Sequence, residues 1–176
     1  MSGHNKWSKI KRQKEKTDAQ KSKVFGKMVR LITVEAKKAQ GNLSSPGLKT
    51  AIEKAKSMNV PNDNIERAIK KSSESGTAME SIVYEAYGPG GCAMVIEALT
   101  DNRNKAAQEI KLILGRHGYS LAGIGSATWA FNHNPGEDWT ATMTITLSEE
   151  DGEKLSNLVD ELEECDEVQD VYTNAE

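Results

Sequence analysis

The stretch SIVYEAYGPGGCAMVIEALT, residues 81–100, decides the fold of the carboxyl-terminal half. In its first part, Ile82, Tyr84 and Ala86 alternate with Val83, Glu85 and Tyr87, as expected for a strand with two different faces. Pro89 fixes φ at the first central position of a type II turn, and Gly90 supplies the positive φ that the second position requires. The apolar run at 93–100 follows at once, so the stretch predicts a β-hairpin.

The chain beyond this hairpin predicts two helices and three more strands. A helical pattern covers residues 102–117, and Gly118 follows as its C-cap. The strand-like runs ATWAF and WTATMTITL are separated only by residues 132–138, Ser148 caps a second helix, and EVQDVYT closes as a strand. From residue 93 this is the order of a ferredoxin-like sandwich, an antiparallel sheet with two helices on one face. The first hairpin strand is an extra strand before it.

The amino-terminal half has helical periodicity up to the stretch SSESGT at 72–77, which we interpret as a linker. Three apolar stripes facing inward would form a small bundle. The stripes lie at 18–40, 48–58 and 63–71. The predicted class is therefore α+β, an N-terminal three-helix domain followed by a ferredoxin-like α/β sandwich with an extra N-terminal strand. The predicted parts are a mobile basic arm at 1–17, a helical bundle at 18–72 and a ferredoxin-like α+β domain at 78–176.

The arm at 1–17 has only Trp7 and Ile10 as large apolar residues, among six Lys and Arg. So little apolar surface leaves the entropy cost of ordering uncompensated, and we expect the arm to order on a charged partner. Trp7 lies between Lys6 and Lys9, where its ring would either stack on a nucleic-acid base or dock the arm on its own bundle. Both interpretations remain open.

Charge divides the chain into two opposed blocks. Residues 1–71 contain 18 Lys and Arg against 6 Asp and Glu, whereas residues 72–176 contain 5 against 20. The net charge of -3 hides this split. The stretch 149–176 alone has twelve carboxylates opposed by Lys154. We expect the basic block to attract a polyanion and the acidic block to repel one.

Residues that suggest catalysis or metal binding are scattered. His4, His117 and His133 have no carboxylate or cysteine at metal-ligand spacing. Cys92 and Cys165 lie far apart and form no paired motif, so a reducing cytoplasm is the expected location. The sequence predicts no enzyme activity, no cofactor, no metal and no small-molecule substrate.

Two other classes of site are also disfavoured. The GPGG turn is followed by a strand and by no Lys-Ser or Lys-Thr, unlike a phosphate-binding loop. No apolar run approaches the roughly 18 to 20 residues of a membrane span, and no hydrophobic stretch follows the basic start as in a secretory signal. We therefore expect no membrane partner.

Several motifs occur along the chain in a characteristic order. They are GHNKWSKIK at 3–11, NVPNDNIERAIKK at 59–71, YEAYGPGG at 84–91, ALTDNRNK at 98–105 and GRHG at 115–118, with GSATWAF and DEVQDVYTN after them. Together they resemble the YebC-type family, bacterial proteins named as probable transcriptional regulators, whose mitochondrial relatives act as translational activators of a cytochrome c oxidase subunit. The resemblance implies a helical amino-terminal domain joined to α/β domains and no enzymatic activity. It also implies binding to DNA or, in the translational branch, to ribosomal RNA and the ribosome.

The motif positions of the family fall on residues of the arm, of the third helix and of the segment after the second strand. They are Trp7, Lys9, Lys11, Asn62, Asp63, Asn64, Arg67, Lys70, Lys71, Asp101, Asn102 and Arg103. One departure is clear. Family members usually carry a third domain, which would be inserted where this chain has only residues 132–138, so the chain resembles a short form.

The leading hypothesis is a non-enzymatic regulator of gene expression, a DNA-binding transcriptional regulator of the cytoplasm. Phosphate contacts would dominate its binding. The candidate nucleic-acid-binding residues are Lys6, Trp7, Lys9, Lys11, Arg12, Lys14, Lys21, Lys23, Lys27, Arg30, Asn64, Arg67, Lys70, Lys71 and Arg103.

Two alternatives stay open. In the first, the chain is a ribosome-associated translational activator whose basic arm enters an RNA-lined channel. In the second, it is an interaction scaffold whose acidic helix around 160–167 holds a basic protein. No feature of the charge pattern separates DNA from the ribosome as the target.

Overall fold

The computed structural model describes residues 18–74, 79–135 and 137–176, with side chains from residue 21 onward. The arm predicted at 1–17 lies outside the described residues. The described chain consists of two compact units, a helical unit that ends at Ser81 and a sheet unit that spans Ile82–Glu176. The domain boundaries predicted from the sequence stay predictions.

Three helices form the helical unit, as the sequence predicts. They are α1 at Asp18–Lys38, α2 at Pro46–Ser57 and α3 at Asn62–Glu74. The long α1 packs along both of the others. Met28, Ile32 and Ala36 recur every four residues on the buried face of α1, which places them in one stripe. The same core contains Leu48, Ala51, Ala55, Val60, Ile65 and Ala68.

The sheet unit contains five strands and two helices. They are β1 at Glu80–Tyr87, β2 at Ala93–Thr100, α4 at Arg103–Arg116, β3 at Phe131–Asn132, β4 at Thr140–Ala141, α5 at Glu149–Glu164 and β5 at Val168–Thr173. The main sheet has the order β1-β2-β5, with β2 antiparallel to β5 through pairs such as Met94 with Thr173. The α+β class and the helical domain before an α/β domain are confirmed.

The predicted hairpin joins β1 and β2. A connection this short allows only an antiparallel pair. The Gly88 amide donates to the Cys92 carbonyl at 2.9 Å, and the Gly91 amide closes the turn on the Gly88 carbonyl at 3.1 Å. Gly90 has φ 66° and ψ 9°, near the values of the second central residue in a type II turn. Glycine is needed here because a side chain at this positive φ is strained.

The caps predicted from the sequence also form. Ser148 accepts a hydrogen bond from the Asp151 amide at 3.2 Å, at the start of α5. Gly118 follows α4 with φ 85°, the left-handed conformation that ends many helices. Local chemistry alone therefore fixes these helix ends.

The sheet differs from the ferredoxin-like plan in its inner strands. Both edges of β2 are occupied, one by β1 and the other by β5, so no edge of β2 is left for a further strand. The runs that predict two long strands form only the two-residue β3 and β4, which pair with each other as a separate ribbon. The extra amino-terminal strand thus takes the place that an inner strand holds in the ferredoxin-like order.

Both faces of the main sheet are covered. On one face, Met94 and Ile96 pack with apolar side chains of α4 and α5, as in the predicted two-helix layer. On the other face, Ala93 and Val95 pack with Phe131 and other residues of the ribbon and its flanks. Burial on both sides explains why β2 is an apolar run rather than an alternating one.

Candidate nucleic-acid interface

The first group of candidate residues lies on α1. Lys23, Lys27 and Arg30 are spaced four and three residues apart, so they share one side of the helix. Met28 and Ile32 point instead into the core of the unit. Lys21 and Lys23 are exposed, and Lys27 and Arg30 are half-buried. The apolar stripe therefore fixes which side of α1 faces the core, and this orientation determines where the cations lie.

The second group lies on α3 and has a different character. Arg67, Lys70 and Lys71 are exposed, while Asn64 is half-buried. A shallow depression of about 290 Å³ is lined by Asp63, Glu66, Arg67 and Lys70. Acids and bases balance over the whole helix, three of each. This surface is mixed in charge, so it should attract a polyanion less than α1 does.

The remaining candidates are not on these two helices. Arg103 is the exposed first residue of α4 in the sheet unit, directly after the cap residue Asn102. Its carbonyl accepts a hydrogen bond from the Tyr84 hydroxyl at 3.4 Å. The arm candidates Lys6, Trp7, Lys9, Lys11, Arg12 and Lys14 lie outside the described residues.

Sequence reasoning passed over two cations of α2. Lys49 and Lys56 are exposed, and their spacing of seven residues places them on one side of the helix. Leu48, Ala51 and Ala55 form the buried face. The same helical periodicity that identified the α1 lysines would have found them. In residues 18–74 as a whole, 12 basic residues stand against 6 acidic ones.

The sheet unit has the opposite electrostatics. Residues 79–176 contain 5 basic and 19 acidic residues, and Lys105, Arg116 and Lys154 each form an ion pair with a carboxylate. Lys105 contacts Glu167 at 3.0 Å, and Arg116 contacts Glu161 at 2.8 Å. The hydrogen bond from Lys154 lowers the pKa of Glu150. A polyanion has little to bind on such a surface.

The two thiols are poor nucleophiles. Burial raises the pKa of Cys92 to about 11. Burial also raises the pKa of Cys165, whose Sγ lies 3.2 Å from a carboxylate oxygen of Glu109. Both remain protonated thiols at neutral pH, and the thiolate is the reactive form. Among residues 18–74, 79–135 and 137–176, no three His, Cys, Asp or Glu side chains are grouped so as to hold a metal ion.

Within the described ranges, no helix combines the length and the apolar character needed to cross a membrane.

Comparison with known proteins places both units in one family. The family model described as TACO1/YebC protein N-terminal domain matches residues 5–75. The model described as TACO1/YebC second and third domain matches residues 79–135 and 136–175. The second match is broken inside the 132–138 link, where the resemblance implied a missing domain.

Individual relatives agree with this assignment. A probable transcriptional regulatory protein of Thermoanaerobacter pseudethanolicus is 38% identical over 239 positions, covering 100% of this chain and 97% of the relative. Because 239 positions exceed the 176 residues here, the relative has positions with no counterpart in this chain. Another, from Thermotoga petrophila, is 48% identical over 134 residues, 74% of this chain and 53% of the relative.

A solved structure supports the same conclusion. The crystal structure of a conserved hypothetical protein from Aquifex aeolicus superposes with a TM-score of 0.80 at 30% sequence identity. The match covers 90% of this chain and 91% of that one. With family models matched along nearly its whole length, the chain belongs to the TACO1/YebC family.

Proposed function

We propose that the chain is a non-enzymatic, cytoplasmic regulator of gene expression that binds nucleic acid through its helical unit, with DNA as the leading target. The observation on which the proposal rests is the division of charge between the units, 12 bases to 6 acids in residues 18–74 and 5 to 19 in residues 79–176. The relatives named as probable transcriptional regulatory proteins support a regulatory role.

The binding mechanism follows from the α1 surface. Each cation that neutralises a phosphate releases a condensed counterion, which favours binding whatever the base sequence. Lys23, Lys27 and Arg30 are spaced to follow a phosphate backbone along one side of the helix. Lysines contact phosphates as point charges and position a protein without specifying sequence. Specificity is then expected to come from the shape of the nucleic acid.

A matched pair of variants tests the location of the interface. Lys23 and Lys111 are both exposed lysines on helices, one in each unit. Lys23→Glu should weaken binding to a DNA duplex about tenfold or more at about 0.1 M salt, because one phosphate contact is lost. Lys111→Glu changes the net charge equally and should have little effect. Equal effects in a fluorescence-anisotropy titration would contradict a localised interface.

The second candidate function is translational activation on the ribosome. It is favoured by the composition of the α1 surface, where Lys21, Lys23, Lys27 and Arg30 supply cations suited to contacts with a phosphate backbone. RNA helices are bound mostly through shape and phosphates.

Sedimentation at matched salt separates the two targets. On the leading proposal, a labelled DNA duplex should hold the protein in the supernatant even when 70S ribosomes are present in equal phosphate concentration. Preferential pelleting with ribosomes would remove the transcription proposal and establish the ribosomal one. The Lys23→Glu variant is the control, since it should reduce either form of binding.

A further inference from the structure

The loop at 121–130 is held against β1 by the Glu85 side chain and by a backbone hydrogen bond from the Ala122 amide to the Glu85 carbonyl at 2.8 Å. Glu85 is buried, and its two carboxylate oxygens accept backbone hydrogen bonds from Gly125 at 2.7 Å, Ala127 at 2.7 Å and Thr128 at 2.8 Å. Burial acts to raise the pKa of Glu85, but the three amide donors outweigh it and the pKa lies below its ordinary value. The Glu85 carboxylate thus stays ionised, and both of its oxygens have hydrogen-bond donors in the loop.

The loop presents an aromatic pair with its polar atoms already engaged. The indole N–H of Trp129 donates to the Ser126 carbonyl at 2.8 Å and lies 3.0 Å from the Tyr87 hydroxyl oxygen. The Tyr87 hydroxyl also donates to the Ser126 carbonyl. Trp129 is nevertheless 57% exposed, and Tyr87 is 37% exposed. What the rings offer to solvent is therefore carbon surface at a fixed position.

The loop that carries Trp129 belongs to a stretch of the acidic unit without Lys, Arg, Asp or Glu. Residues 117–136 contain no Lys, Arg, Asp or Glu, although residues 79–176 contain 19 acidic residues in total. The nearby Glu85 carboxylate keeps its negative charge, but it is buried and its oxygens accept from three loop amides. A polyanion repelled elsewhere on the unit can approach this segment at little electrostatic cost.

We propose that Trp129 and Tyr87 form a stacking platform for unpaired bases of a single-stranded nucleic acid. Single-strand binders use such aromatic rings because every base has a π-face. Fixed rings lose little side-chain entropy on binding, so the affinity gained is large for the area buried. The proposal rests on the proposed nucleic-acid function and adds the single-stranded substrate and its contact residues.

The size of the patch favours a base over a protein partner. A stable protein interface buries at least about 1,000 Å² in total. Here the exposed large apolar side chains are Ile124 and Trp129 in the loop and Val83 and Tyr87 on β1, and the other exposed loop residues are glycines. That area suits one or two bases. Ile124 is fully exposed and has no ring, so a protein partner could contact it whereas a stacked base would not. Replacing Ile124 therefore distinguishes the two kinds of partner.

The experiment compares the full-length chain and three variants on two strands. One strand is a single-stranded DNA oligonucleotide, and the other has the same length and backbone but no bases. Trp129→Ala should weaken binding to the base-bearing strand about 5- to 100-fold, with no change for the abasic strand. Trp129→Phe should retain most of the affinity because it retains a ring. Ile124→Ala should leave both strands unaffected.

Several results would overturn the platform. One is Trp129→Ala binding the base-bearing strand as tightly as the wild type. Another is an equal loss for both strands, since stacking requires bases. The Trp129→Phe variant guards against a folding defect, because its affinity should exceed that of the alanine variant at an equal melting temperature. If the wild type bound neither strand in dilute buffer but bound a DNA duplex, the platform alone would fail. If it bound neither the strands nor a duplex, the proposed function itself would fail.

Discussion

Raising the salt concentration from 50 to 200 mM is expected to weaken nucleic-acid binding by about a thousandfold or more. The reason is counterion release, in which each phosphate neutralised by a cation adds about 0.9 to the slope of log affinity against log salt. Six to ten contacts, drawn from the α1 cations and the predicted arm, produce an effect of this size. The measurement is a series of titrations at fixed pH with a fluorescent duplex.

The slope also locates the contacts. Replacing Lys23, Lys27 and Arg30 together by alanine should reduce the slope by about 2.7, because three phosphate contacts are lost. Lys111→Ala is the control and should leave the slope unchanged, since that lysine belongs to the acidic unit. A complex whose affinity did not depend on salt would contradict the whole electrostatic mechanism. If the triple variant had the same slope as the wild type, the phosphate contacts would not be on α1.

The elements that the sequence predicted well are those fixed by neighbours along the chain. The helical stripe of Met28 and Ile32, the Gly90 turn and the Ser148 cap each depend on residues within about four positions. Such local patterns can be recognised from the sequence without knowledge of the rest of the fold. The helical patterns at 48–58 and 63–71 consequently correspond to α2 and α3 within a few residues.

What the sequence did not predict depends on residues distant along the chain. The ATWAF run has the composition of a strand, yet Thr128–Ala130 forms a short 3-10 turn because Glu85, 43 residues before Thr128, binds the amides there. Glu85 itself alternates like an outward-facing strand residue. No local pattern indicates that three amides will surround it.

The candidate site shows the same division. The cations of α1 were predictable because their spacing relative to the apolar stripe is a local property. The mixed charge around Arg67 and Lys70 was also visible in the sequence. How strongly the acids offset these cations depends on the fold, which places Asp63 and Glu66 in the same depression. The Trp129 platform was not predictable, because Tyr87 and Ser126 meet the ring only in the folded chain.

The carboxylate of Glu85 should be among the most sensitive positions in the sheet unit. Glu85→Gln removes the charge and replaces one acceptor oxygen with an amide donor, so at least one of the three backbone N–H groups then faces a donor. The expected cost is about 2 to 4 kcal/mol in the free energy of unfolding, since hydrogen bonds to charged groups are strong and an orphaned donor is expensive. Chemical denaturation followed by circular dichroism measures it. Glu153→Gln, at an exposed position of α5, is the control and should change stability by less than about 0.5 kcal/mol.

The pH dependence of stability distinguishes a charge effect from a packing effect at Glu85. Its folded-state pKa lies below the ordinary value of 4.5, so its contribution is fully present above that value and is lost as the pH falls through the folded pKa. The difference in unfolding free energy between the wild type and Glu85→Gln should therefore be constant near neutral pH and shrink in acid. A difference that stayed constant down to strongly acidic pH would mean that the variant is destabilised by shape alone, because a protonated Glu85 would then hold the 121–130 loop as well as the carboxylate does.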